Sequence, residues 1–104
     1  MSKGFNQILQ QAKKMQDKLM KLQEEMGDKT VEAQAGGGMV SCVVNGRQEV
    51  ISLTVSQEVL DEKDKELLED LIVAAVNEGL SRSKEMVQEE MSKVTGGMQM
   101  PFGM

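Results

Sequence analysis

Residues 30–55 read TVEAQAGGGMVSCVVNGRQEVISLTV, and the rhythm of this stretch decides the fold. Val31, Ala33 and Ala35 alternate with Glu32 and Gln34, and Ile51, Leu53 and Val55 alternate with Ser52 and Thr54. A period of two belongs to strands, because successive side chains leave a pleated backbone on opposite faces. Gly36-Gly37-Gly38 supplies a first turn, and Asn45-Gly46 is the dipeptide favoured in two-residue type I′ hairpins. The segment from Met39 to Val44 between them completes a three-stranded antiparallel meander. That middle strand is apolar on both faces, with Met39 and Val43 pointing one way and Val40, Cys42 and Val44 the other. One helical layer covers one face only, so a second copy of the chain is the natural cover for the other.

Moving outward, the period changes to that of helices. From Phe5 to Met26 the residues Ile8, Ala12, Met15, Leu19, Leu22 and Met26 recur at spacings of four and three, the seam of a packed helix, and Gly27 is expected to cap it. Lys14, Lys18 and Lys21 follow the same step beside the seam. On the other side, Ser56 to Leu60 reads as a short turn. Asp61, Glu62 and Asp64 then put negative charge at the start of a long helix, where it complements the helix dipole. Leu68, Ile72, Ala75, Val76, Leu80, Val87, Met91 and Val94 form its apolar stripe as far as Thr95, before Gly96-Gly97. About thirty helical residues span about 45 Å, against about 20 Å for a six-residue strand, so the far half of this helix must project beyond the sheet. Its stripe needs a partner there, and the seam of the first helix is one candidate, in the same subunit or across a dimer. The expectation is an α+β, two-layer domain over residues 1–97, ordered helix, three-stranded antiparallel β-meander, long C-terminal helix (α-β-β-β-α). Residues 98–104 are expected to form a flexible tail rich in Met, Gly and Pro.

Composition narrows the function. At 104 residues the chain has room for one modest core, and with 39% hydrophobic but only 2% aromatic residues that core must be aliphatic and Met-rich. There is no His, and Cys42 is the sole cysteine, so neither the commonest general base nor a zinc ligand set is present. Gly36–Gly38 lacks the following Gly-Lys-Ser/Thr of a phosphate loop, and the acidic run from Asp61 to Asp70 lacks the geometry of a calcium loop. The chain is therefore expected not to be an enzyme, with no catalytic residues, cofactor, metal or small-molecule substrate. No 18-residue apolar run or apolar leader is present, which points to a cytoplasmic protein with no membrane partner. The net charge of −5 is unevenly spread: residues 1–29 carry six lysines against four acids, about +2, and the remainder carries about −7.

Several segments taken in order resemble the YbaB/EbfC family of nucleoid-associated proteins. They are the amphipathic opening with Met15 and Gln16, the glycine turn into Gly38-Met39-Val40, Asn45-Gly46, Leu68-Glu69-Asp70-Leu71-Ile72, Ala74-Ala75-Val76-Asn77, and Thr95-Gly96-Gly97 followed by Pro101. The resemblance covers nearly the whole chain. It implies a tweezer-like homodimer whose helices project from a central sheet, located at the nucleoid and binding double-stranded DNA with little sequence preference. It carries no defined set of contact residues. The charge pattern nominates Lys13, Lys14, Lys18 and Lys21 on the first helix, since each neutralised phosphate releases counterions whatever the base sequence. Arg82 and Lys84 on the projecting part of the second helix, and Arg47 at the hairpin tip, are weaker candidates, diluted by Glu85, Glu89 and Glu90. The competing expectation is a dimeric protein-interaction module that grips another protein with its projecting helices and Met-rich surfaces.

Overall fold

The computed structural model describes residues 2–95. In order these form α1 (Ser2–Asp28), β1 (Thr30–Ala35), β2 (Val40–Asn45), β3 (Val50–Val55), α2 (Gln57–Asp61) and α3 (Lys65–Thr95). The expected α-β-β-β-α order holds, with a one-turn helix added. The expected Gly96-Gly97 stop and the 98–104 tail lie outside the described residues.

The strands form one sheet in the order β1-β2-β3, both pairs antiparallel. In register, Ala33 faces Cys42 and Cys42 faces Leu53, so one side of the sheet carries a continuous apolar row. The long helix α3 lies on that side, over β1 and β2, and the core is Ala33, Val40, Cys42, Val44 and Ala75, edged by Leu68, Leu71, Ile72 and Leu80. The approach is close because Gly79 has no side chain: a Cβ there would stand 2.7 Å from Val44 Cγ2 and 2.9 Å from Cys42 Sγ. A core built on Ala33, Ala75 and Gly79 has no room for rings, which accounts for the scarcity of aromatic residues. The Cys42 thiol donates to the Ala75 carbonyl at 3.1 Å, and burial, followed by the charge of Glu32, pushes its pKa up. It is a buried strand residue held as the neutral thiol.

Five local expectations need correction. The β2–β3 turn is not a two-residue type I′ turn. Asn45 N donates to Glu49 O at 3.0 Å, Gln48 N donates to Asn45 O at 3.2 Å, and the left-handed residue is Gln48 at φ 66°, not Gly46. The glycine serves contact rather than conformation, since a Cβ on Gly46 would lie 2.6 Å from the Met26 carbonyl oxygen. By contrast Gly36, Gly37 and Gly38 all have positive φ, as the first turn requires. Gly27 is not a left-handed cap either, because α1 continues to Asp28 and Gly27 has no positive φ; instead the Arg47 side chain comes within 3.0 Å of where a Cβ would be. The presumed turn at residues 56–60 is largely α2, capped by the Ser56 hydroxyl accepting from Val59 N. Asp64, of the three acids assigned to the long helix, caps it by accepting from Leu67 N at 3.1 Å, whereas Asp61 and Glu62 end α2.

The fifth concerns the second face of the sheet. Glu32, Gln34, Ser52 and Thr54 make it polar, and Val43, paired with Glu32 and Ser52, is half-buried among them. The bare apolar surface lies elsewhere. Val50, Ile51 and Leu53 on β3 are exposed, and among the described residues no strand pairs with the outer edge of β3.

Candidate nucleic-acid interface

The basic helix α1 is mounted by its last turns. Four C-terminal carbonyls of any α-helix lack partners within the helix. Here the β2–β3 turn supplies donors to that end: Gly46 N to Met26 O at 2.9 Å, Asn45 Nδ2 to Gly27 O at 3.4 Å, and Arg47 Nε to Gln23 O at 3.2 Å. Asn45 also organises the turn, its Oδ1 accepting from Arg47 N and Glu49 N. A buried Ser83 on α3 ties this turn to the other helix, donating to Asn45 O at 2.6 Å while its oxygen accepts from Gln48 Nε2 at 2.6 Å. Lys29, just after α1, pairs with Glu90 of α3 at 2.8 Å, and Lys93 joins at 3.4 Å. Lys29 above all, then Lys93, holds the Glu90 carboxyl below its ordinary pKa despite some opposing desolvation.

Leu19, Leu22 and Met26 share one shallow groove with Val87 and Met91, so the projecting stripe of α3 finds the α1 seam within the same subunit, but only over the last turns of α1. Leu22 and Met26 are buried, whereas every residue from Lys3 to Lys21 is exposed. The first five turns of α1 stand clear of the sheet as an arm.

At 100° per residue, Lys3, Lys14, Lys18 and Lys21 fall within a sector of about 60° on that arm, with Gln7, Gln10 and Gln11 beside them. The ridge is about 27 Å long from Lys3 to Lys21. Lys13 is about 100° away from Lys14 and does not belong to it. Lys3 is remote from the other lysines in sequence, and its separation from Lys14, eleven residues or three turns, is the signal that places it on the ridge. Among the described residues none of these five lysines forms an ion pair within the chain.

The structure does not bring the α3 candidates to this ridge. Arg82 donates from Nη1 to Glu32 O at 2.8 Å and pairs through Nε with Glu78 at 3.1 Å, so its guanidinium covers the free edge of β1. Lys84, two residues on and so about 200° around the helix, lies beside Gly46 and Gln48. Arg47 is spent on the α1 terminus. Among the described residues no group of three or more His, Cys, Asp or Glu side chains could hold a metal, and no helix is long and apolar enough to cross a membrane.

Comparison with known proteins agrees with this architecture. A nucleoid-associated protein of Syntrophobacter fumaroxidans is 58% identical over 101 residues, covering 97% of this chain and 91% of the relative. One of Thermoanaerobacter pseudethanolicus is 50% identical over 98 residues, covering 94% and 88%. The crystal structure of an uncharacterized protein from Helicobacter pylori superposes with a TM-score of 0.70 at 28% identity, covering 90% of this chain and 95% of that one. The YbaB/EbfC DNA-binding family matches residues 1–98. With that match across almost its whole length, the chain belongs to the YbaB/EbfC DNA-binding family.

Proposed function

We propose that this protein is a nucleoid-associated DNA-binding protein that engages duplex DNA with little sequence preference, through phosphate contacts from the projecting α1 of a homodimer. The observation that carries the reading is the ridge of Lys3, Lys14, Lys18 and Lys21, free of ion pairs among the described residues and raised on an arm clear of the sheet. Lysine ammonium groups are point charges that follow a phosphate backbone without reading bases. The absence of Tyr and Trp speaks against base stacking, hence against a single-strand mode. The negative remainder of the chain confines the attraction to the arm.

Anisotropy titration of labelled duplex DNA at several salt concentrations tests this. With about four phosphates engaged, log K falls against log salt with a slope near −3.6, and changing the four ridge lysines to Gln removes most binding and most of the slope. Lys13→Gln alone has the smaller effect. A flat salt response sinks the mechanism.

The homodimer is supported by the exposed Val50, Ile51 and Leu53 beside an open strand edge, with Leu60 of α2 also exposed. Bare apolar edge strands recruit a further strand or cover. Light scattering is expected to report a dimer, and Leu53→Lys to shift it toward monomer.

A further inference from the structure

The lysine ridge of the arm has three glutamines set into it. At 100° per residue, Gln7, Gln10 and Gln11 share one sector of about 100° with the four ridge lysines, and over residues 3–21 no other side chain enters that sector. Asp17, the one acid of this stretch, stands about 20° outside it. Order along the axis matters as much as angle. Lys3 stands at one end and Lys14, Lys18 and Lys21 at the other, with about 16.5 Å from Lys3 to Lys14, and the three amides occupy that interval. The side-chain amides that bond within the described chain belong to Asn45, Gln48 and Gln57, so those of the arm keep donor and acceptor available. Phe5, Ile8 and Leu9 centre about 160° around the helix from the sector, so a second chain that covers them leaves it open.

Resting on the DNA reading above and deepening it, we infer that the arm seats in the major groove, where Gln7, Gln10 and Gln11 meet base edges and give a modest preference for adenine. Width selects the groove. A helix with its side chains is about 10–12 Å across, which matches the major groove at about 12 Å and exceeds the minor groove at about 6 Å. A straight helix laid in a winding groove is deepest along one stretch and meets the rims on either side of it. Lysines before and after that stretch fall on phosphates, and the uncharged amides between them face the groove floor. There a glutamine bonds adenine twice, donating to N7 and accepting from the N6 amino group, whereas guanine presents acceptors alone, N7 and O6, on the same edge. Gln7 and Gln11 are about 6 Å apart along the axis, close to two base-pair steps of about 3.4 Å, so one site satisfies both. The preference stays modest because the lysines supply affinity whatever the bases.

Anisotropy titration of the full chain at fixed salt with three duplexes of equal length is the test. One is rich in A·T pairs, one has G·C pairs only, and the third repeats the A·T duplex with 7-deazaadenine. That base lacks the N7 acceptor of the major groove and leaves the minor-groove edge unchanged, so it separates base contact from minor-groove shape. The A·T duplex is expected to bind at least about fivefold tighter than either of the others, the lower end of one bidentate contact. Gln7→Ala/Gln11→Ala removes this difference and leaves the salt slope at its wild-type value, since no charge has changed. Alanine is the better helix former, so circular dichroism should show the fold retained. Equal wild-type affinity for the three duplexes, with the salt slope intact, overturns this inference and leaves the phosphate reading standing. A preference that survives deazaadenine or the alanine pair also overturns it, assigning selectivity to DNA shape or to other residues. A changed mass of the alanine pair in light scattering would assign the sector to a second copy and overturn it too. Absence of wild-type binding to every duplex at low salt overturns both readings.

Discussion

The two long helices, α1 and α3, are of similar length, about 40 and 46 Å at the helical rise, yet their apolar stripes meet different fates. The middle of α3 is pressed onto β1 and β2 through Ala75, Gly79 and Ser83, positions chosen for smallness. The seam of α1 is regular over six positions, yet only Leu22 and Met26 are buried. Amphipathic regularity therefore does not measure how much of a helix the fold consumes. In α3 the stripe is spent on stability, whereas in α1 it remains as surface, next to unpaired lysines.

Substitutions can break this contrast, and the largest effect is expected where α3 sits closest. Gly79→Val forces side-chain atoms into Val44 and Cys42 and should cost about 3 kcal/mol in urea unfolding, from overpacking. A wild-type-like midpoint would mean that α3 can lift off the sheet freely. Ser83→Ala removes a donor from Asn45 O and an acceptor from Gln48, and about 1–2 kcal/mol should be lost at this buried junction. Because that junction also holds the turn that caps α1, hydrogen exchange at the end of α1 should rise with it.

The Lys29–Glu90 pair is next. Its carboxyl has a folded pKa below the ordinary value, so its contribution is present above the unfolded Glu value of about 4.3 and is lost as pH falls through the lowered folded value. Comparing Tm of wild type and Glu90→Gln, the gap should be widest near neutrality, shrink below about pH 4.3 and close only once pH has fallen past the lowered folded value. It should also narrow in high salt, as for any partly exposed pair. A gap independent of pH would remove the carboxylate from the account. Least affected should be Ile8→Ser, within about 0.5 kcal/mol on unfolding, because an exposed side chain loses little. A cost well above about 1 kcal/mol would show the arm covered in the folded assembly and erase the contrast between the helices.

Much of this molecule was legible in one dimension. Alternation at Val31, Ala33 and Ala35 and again at Ile51, Leu53 and Val55 identified strands, since a period of two has no other regular realisation. The triple glycine marked a turn that needs positive φ. Lys14, Lys18 and Lys21 were visible as a ridge because one helical period relates them, and Lys3 obeys the same period at longer range. Arg82 and Lys84 looked like neighbours in sequence but stand on opposite sides of α3, and the hydrogen bond from Arg82 to Glu32 O spans fifty residues, beyond any local pattern.

The sequence by itself determined the order of elements and the basic character of the first helix, because these follow from residue type and short periods. Only the tertiary structure decided what each glycine is for, which arginine caps a strand edge, and where the α1 seam stops being core. Those depend on which distant backbone comes within van der Waals reach, as Met26 does at Gly46 and Val44 does at Gly79. Nothing in the local pattern of either glycine distinguishes a turn from a contact.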